Sequence, residues 1–239
     1  MSLWSCKDNA EETESGGSAS SAPLQMAEIL ATNNVNALEQ YLSNGGTVDA
    51  VDEAGNTTLH LAALHGSAKV GKVLVSKGVA VDALNANGET PLIIATREGH
   101  ISMITMLLRQ NASPDIKDQD GFRPVTVAAQ DGATQVIEAL ALYSRKYLDD
   151  ALFIAALKGH SEMIDTLTNH GASVYSRLDE DGRTPLMLAA QNGHIETVRV
   201  LLENGANRYS TDMAGNTASV LASEAVSYTH LTLPTTSRV

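Results

Sequence analysis

Apolar residues between positions 24 and 226 fall in short blocks with helical spacing. In residues 52–84, Leu59, Leu61, Ala62 and Ala63 form one block. Val70, Val73 and Leu74 form a second at i, i+3, i+4 spacing. Polar and glycine positions punctuate them. Asp52 to Asn56 reads as a turn, and Gly55 supplies a positive φ there. Thr57 stands at an N-cap position, where its hydroxyl can accept an orphan backbone N–H. Gly66 ends the first helix, and Gly78 stops the second, predicted over 69–77. Val79 to Ala83 then runs as an extended arm to the next turn.

The same order returns along the chain. Its anchors are Thr57, Thr90, Arg123, Asp150, Thr184 and Thr217, separated by 33, 33, 27, 34 and 33 residues. A near-constant period of this length predicts a stacked array, in which each unit buries its apolar face only against its neighbours. The unit is sharpest at Thr90-Pro91-Leu92 with Gly99-His100, and at Thr184-Pro185-Leu186 with Gly193-His194. Proline at the first helical position loses nothing by lacking an N–H.

Residues 88–100 (GETPLIIATREGH) and 182–194 (GRTPLMLAAQNGH) resemble the T-P-L-H-x-A-A-x-x-G-H motif of ankyrin repeats. Residues 55–66 keep the His and lose the Pro, 121–132 keep the Pro but place Arg123 at the cap, and 150–160 keep the second half. The resemblance covers roughly 24–222. It implies an all-α ankyrin-repeat solenoid of helix-turn-helix units with short hairpin fingers. The expected divisions are a polar tether over 1–23, a cap-like unit over 24–52, and repeats over 53–86, 87–119, 120–147, 148–180 and 181–213. A partial unit over 214–226 and an irregular tail over 227–239, read either as translated cloning sequence or as a native extension, complete the chain. In the cap unit Glu28, Asn33, Asn34 and Glu39 are expected to face water.

The 27-residue step removes the arm and the turn glycine between Ala133 and His160. The finger is therefore expected to be missing there, with a short helix connection. Tyr143, Tyr147 and Phe153 would fill the altered packing. A neutral deletion that changes curvature and a notch that shapes a partner site are both compatible with this step.

Composition narrows the function. The formal charge is −12 and aromatics are 4% of the 239 residues, so general binding of phosphate backbones is disfavoured and basic partners are favoured. One cysteine, Cys6, allows no internal disulfide and no paired-Cys zinc site. No apolar run approaches the ~20 residues needed to span a bilayer. Residues 7–22 (KDNAEETESGGSASSA) read as a flexible tether. The preceding Leu3-Trp4-Ser5-Cys6 resembles the end of a bacterial lipoprotein signal, with Cys6 the residue lipidated, but the basic and apolar regions of such a signal are absent. The default compartment is therefore the cytoplasm, with an envelope lipoprotein as the alternative.

The histidines recur in phase, so a stacked array displays them as a ladder and does not gather them round a metal. In the family resembled, His60, His100, His160 and His194 would make structural hydrogen bonds. No nucleophile–base set and no phosphate-binding loop is present in the sequence. A non-enzymatic, monomeric protein-interaction scaffold without cofactor is the expectation. The alternative is a targeting or regulatory piece of an enzyme system. By position, the resemblance assigns partner binding to Glu53, Asn56, Leu64 and His65, then to Asn87, Glu89, Arg97 and Glu98. Gln119, Asp120, Phe122, Gln130 and Asp131 follow. Lys158, Glu180, Asp181, Arg183, Gln191 and Asn192 complete the set, with Phe122 the expected aromatic anchor.

Overall fold

A computed structural model describes residues 22–231. They contain thirteen α-helices and, among the described residues, one isolated antiparallel bridge, Val51 with Thr57. Cys6 and most of the tether lie outside the described residues. The chain divides into two units at Val127 and Ala128.

The first unit opens with α1 (Ala22–Thr32) and α2 (Val35–Ser43). Two repeats follow, α3 (Thr58–Leu64) with α4 (Ala68–Ser76), and α5 (Pro91–Arg97) with α6 (Ile101–Arg109). The seven-residue inner helices stack on one another, α3 on α5, while the nine-residue outer helices stack separately, α2 on α4 and α4 on α6. Leu59, Leu74, Leu92, Ile93 and Leu107 lie fully buried between these rows. The cap unit departs from expectation at Asn33. Its side-chain oxygen accepts the N–H groups of Lys69 and Val70, each at 3.1 Å. It therefore caps α4 of the next repeat, filling the role left open because Ser67 makes no side-chain cap bond.

Thr57, Thr90 and Thr184 each accept the N–H of the third residue on, as their sequence position requires. At α7 (Pro124–Gln130) the cap residue is Arg123. There Thr126 reaches back, its hydroxyl accepting the Arg123 N–H at 2.8 Å and donating to the Arg123 carbonyl at 2.9 Å.

The second unit contains α8 (Thr134–Leu140), α9 (Leu148–Lys158), α10 (Ser161–Asn169), α11 (Pro185–Gln191), α12 (Ile195–Glu203) and α13 (Ala218–Leu231). Outer helices α8, α10 and α12 stack in turn, and inner helix α11 packs between α9 and α13. The shortened step lies between α8 and α9, where a single 3₁₀ turn, Arg145–Tyr147, replaces arm and finger. Phe153 is buried there, but Tyr143 stands half exposed and fills no gap. The 34-residue step has a local cause too. Its finger closes from Leu178 N–H to Arg183 carbonyl, one residue longer than the closure from Asn85 to Glu89.

The deletion also removes an anchor. In the first unit the Asp82 carboxylate of one arm accepts the Ser113 N–H of the next arm at 3.0 Å. The equivalent N–H, that of Ser173, is bonded at 2.8 Å by Asp149, from the first turn of α9. The other Asp149 oxygen accepts the Ser176 hydroxyl at 2.5 Å. Asp149→Ala should therefore cost about 2 kcal/mol, since it leaves a part-buried donor unpaired. Urea melts of this variant and of Asp150→Ala, whose side chain is exposed, test the assignment. Equal losses at the two positions would refute it.

Past Val226 the structure differs from expectation. Residues 227–231 continue α13 and are not irregular. No Gly or Pro interrupts the chain between Gly215 and Pro234, so nothing local stops the helix.

Candidate functional site: the finger-lined surface

Each finger begins with an Asp or Asn whose side chain organises its own hairpin. Asp52 accepts the N–H groups of Ala54 and Asn56, and Asn85 those of Asn87 and Glu89. Asp118 accepts that of Phe122 at 2.8 Å. These bonds do the work of an Asx-turn. At Asp212 the N–H of Asn216 is the main reason its carboxyl lies below the ordinary carboxylate range, and this outweighs the opposing effect of desolvation.

Consecutive fingers are stitched together. The Ala86 N–H donates to the Ala54 carbonyl at 2.9 Å, and the Gln119 N–H to the Asn87 carbonyl at 3.2 Å. In the second unit Met213 donates to Asp181 at 2.9 Å. The Arg177 guanidinium bridges the Gly182 and Thr211 carbonyls at 2.9 and 2.6 Å.

In the first unit the fingers and the end of α5, joined at the smaller by α3, line two small open clefts, of about 190 and 300 Å³. Both are lined by Asn87, Glu89 and Arg97. Glu89 is only 6% exposed and pairs with Arg97. It also accepts from the Asn85 amide at 2.9 Å. Burial pushes its carboxyl up, but the bonds from Asn85, Arg97 and Asn87 outweigh this and hold it below its ordinary value. Arg97 extends to the buried Asp118 at 3.7 Å. Glu89 is thus an internal strut of the groove wall and not a free binding group. Gln119 is similarly committed, its amide donating to the Ala86 carbonyl at 2.6 Å. Asn56 accepts from the Asn85 amide at 2.9 Å. Glu53, Leu64, His65, Asn87, Arg97, Glu98 and Asp120 face solvent, while Phe122 is half-buried. The recurrence of Asp or Asn at 52, 85 and 118 was the signal for the contribution of Asn85 and Asp118 to this wall.

In the second unit Gln130, Asp131, Lys158, Glu180 and Asn192 are exposed. Arg183 pairs with Asp181 at 3.1 Å and donates to the Gln191 side chain at 2.8 Å. This repeats, eight residues apart, the Glu89–Arg97 pairing. The Asn192 amide turns back onto the Leu188 carbonyl at 2.8 Å.

The histidines serve the stack. His60 Nδ1 accepts the Thr57 N–H at 3.1 Å, which leaves the ring proton on Nε2, 3.0 Å from the Glu89 carbonyl. His100, His160 and His194 place Nε2 at 3.0, 3.2 and 2.9 Å from the carbonyls of Leu64, Gln130 and Leu157 in the preceding repeat. No group of three potential metal ligands occurs among the described residues.

A family model for ankyrin repeats in three copies matches residues 25–118, 104–178, 125–212 and 152–231. No curated protein matches the chain. Among solved structures, it is similar to the human ASB11 ankyrin repeat domain, at 24% identity and a TM-score of 0.68, covering 85% of this chain and 96% of that one. It is also similar to the ankyrin repeat domain of Bcl-3, a member of the IkappaB protein family, at 21% identity and a TM-score of 0.71, covering 86% and 97%. A third likeness is to a chain in the complex of the predatory endopeptidase Bd0816 from Bdellovibrio bacteriovorus with the immunity protein Bd3460. It has 25% identity and a TM-score of 0.63, and covers 75% and 97%.

Proposed function

The chain belongs to the ankyrin-repeat family, and from that premise we propose that it is a non-enzymatic scaffold binding a basic protein segment along its fingers. One observation carries the reading. In the first unit the cation of the groove, Arg97, is paired with Glu89 and Asp118, whereas Glu53, Glu98 and Asp120 present their charge to solvent. The field met by an approaching partner is therefore negative, which steers basic chains and repels acidic ones. The stitched fingers hold these groups in place before binding, which lowers the ordering cost. Phe122, half-buried at a finger base, is the apolar anchor.

Glu98→Lys and Asp120→Lys should each weaken a captured partner about tenfold. Phe122→Ala should do the same while melting within a few degrees of the parent. The loss should shrink in high salt for the two charge reversals and persist for Phe122→Ala. Binding by surface plasmon resonance checks this, and unchanged affinity in all three variants sinks the site.

A second reading, a regulatory subunit that binds an enzyme, is favoured by one finding. A similar chain occurs in a complex of an endopeptidase with an immunity protein. Among the described residues no helix is long and apolar enough to cross a membrane.

A further inference from the structure

The outer helices of the first unit carry charge that the fold does not account for. Lys69 and Lys72 stand one turn apart on α4, and neither α4 nor α6 contains an acid. Like charges at this spacing repel. Lys69 also lies in the first turn, the end of a helix that disfavours a cation. Arg109, in the last turn of α6, and Lys77, at the end of α4, sit where the helix dipole favours them. Neighbouring acids leave this face positive. Glu39 of α2, one period before Lys72, makes no ion pair with it, and Asp82 is spent on the Ser113 N–H. In the second unit, by contrast, the outer-helix cation Arg199 is tied to both Glu196 and Glu203.

Between α4 and α6 lies an open cleft of about 390 Å³. Lys72 lines it from α4, and Ser102, Thr105, Arg109 and Gln110 line it from α6 and its end. Among the described residues none of these five side chains makes a hydrogen bond or ion pair within the chain. The finger groove is the reverse, since Glu89, Arg97 and Asn85 there hold one another. Lys72, Ser102 and Arg109 are exposed, so their polar ends are open to a ligand.

We propose that this cleft binds a phosphoserine or phosphothreonine in an acidic segment of a partner protein. Lys72 and Arg109 match the nearly double negative charge of the phosphate. Its three oxygens can accept from them and from the Ser102 and Thr105 hydroxyls and the Gln110 amide. A carboxylate, with one charge and two oxygens, would leave part of this donor set unused. Lys69 and Lys77 flank the cleft and favour acidic residues beside the phosphate. A nucleic acid or an anionic lipid surface would meet the net charge of −12 over a wide area, whereas a short segment meets only this face. The chain would then hold partners of opposite charge, one at its fingers and one at its outer helices.

The probe is a fluorescein-labelled heptapeptide, Gly-Glu-Ala-Ser-Ala-Glu-Gly, phosphorylated on its serine. It is used in about 0.1 M salt, where charges more than ~10 Å away are largely screened. Fluorescence anisotropy against the full chain should show saturable binding that inorganic phosphate displaces. Lys72→Glu and Arg109→Glu should each weaken it at least tenfold, with circular-dichroism melts close to the parent. Lys117→Glu makes the same change in net charge at an exposed lysine outside the cleft, and should alter binding less than twofold. Charge reversal at Glu98 and Asp120 should do no more, so this site stands or falls apart from the finger groove. Absence of saturation at millimolar peptide overturns the proposal, and so does an equal loss in Lys117→Glu. Equal binding of an unphosphorylated peptide with the sequence of residues 8–14 would give the face to carboxylates, the chain's own among them, and overturn it. Sedimentation with phosphatidylserine vesicles that Lys72→Glu abolishes would give it to a lipid surface, and a dimer that Lys72→Glu dissociates would give it to a second copy. Either result overturns the proposal.

Discussion

Gly159→Ala lowers stability by about 3 kcal/mol, whereas Gly193→Ala costs only about 1 kcal/mol, the ordinary penalty for a left-handed alanine. Both glycines have positive φ, +82° and +72°. Only at Gly159 does a neighbour press on the missing side chain. A Cβ there would lie 2.6 Å from Nδ1 and 2.8 Å from Cγ of His194. At Gly193 nothing lies within 4 Å. The imidazole of His194 cannot retreat without giving up its bond to the Leu157 carbonyl, so the substitution adds a lost hydrogen bond to the backbone strain. Urea denaturation followed by circular dichroism measures both losses. His194→Ala should recover part of the Gly159→Ala loss in a double-mutant cycle. Equal losses at the two glycines, or no coupling between Gly159 and His194, would refute the mechanism.

His60→Ala is expected to cost about 3 kcal/mol, because one ring closes a capping box and crosses to the next repeat. The Thr57 N–H and the Glu89 carbonyl both lose their partner. The same geometry sets a pH dependence. Burial lowers the His60 pKa, outweighing the opposing pull of the Glu89 and Ala83 carbonyls. The unfolded chain therefore takes up this proton at higher pH than the folded one. The contribution of His60 is complete above pH ~6.5, the ordinary histidine value, and declines as pH falls below it. The slope is at most about 1.4 kcal/mol per pH unit. Protonation would also place an N–H on Nδ1 against the Thr57 N–H. Stability measured from pH 7.5 to 5 should fall less steeply in His60→Gln than in the parent. Parallel curves would refute the role of this ring.

What was legible in the sequence depended on range. Helix starts at Thr57, Thr90 and Thr184 and stops at Gly66, Gly78 and Gly159 are local chemistry, visible within four or five residues. The missing finger was visible as well, because a 27-residue step leaves no residues to build it. Contacts set by stacking were not visible. Glu89 looked like a surface acid from its place beside a turn, yet Arg97, eight residues on, and Asn85 draw it inside. Asp149 carries no repeat-motif signal of its own in the sequence. Only the packed arm at Ser173 reveals that it replaces the carboxylate of a deleted one. The cap position at Arg123 seemed lost, and Thr126 restores it from three residues further along. The continuation of α13 to Leu231 was missed because a Thr-rich segment carries no apolar period, although it also carries no stop.

The Gly–His contacts have a bearing on how such a chain is inherited. The glycine at 159 and the histidine at 194 that leans on it lie in adjacent repeats, so neither repeat holds a complete joint. A duplicated repeat brings a histidine for the copy before it and a glycine for the copy after it. Growth by whole-repeat duplication therefore makes each new joint complete at once, without a matching second mutation. The Asp149–Ser173 bond has no such generality. Both partners belong to one irregular stretch, and that stretch can be passed on only as a block.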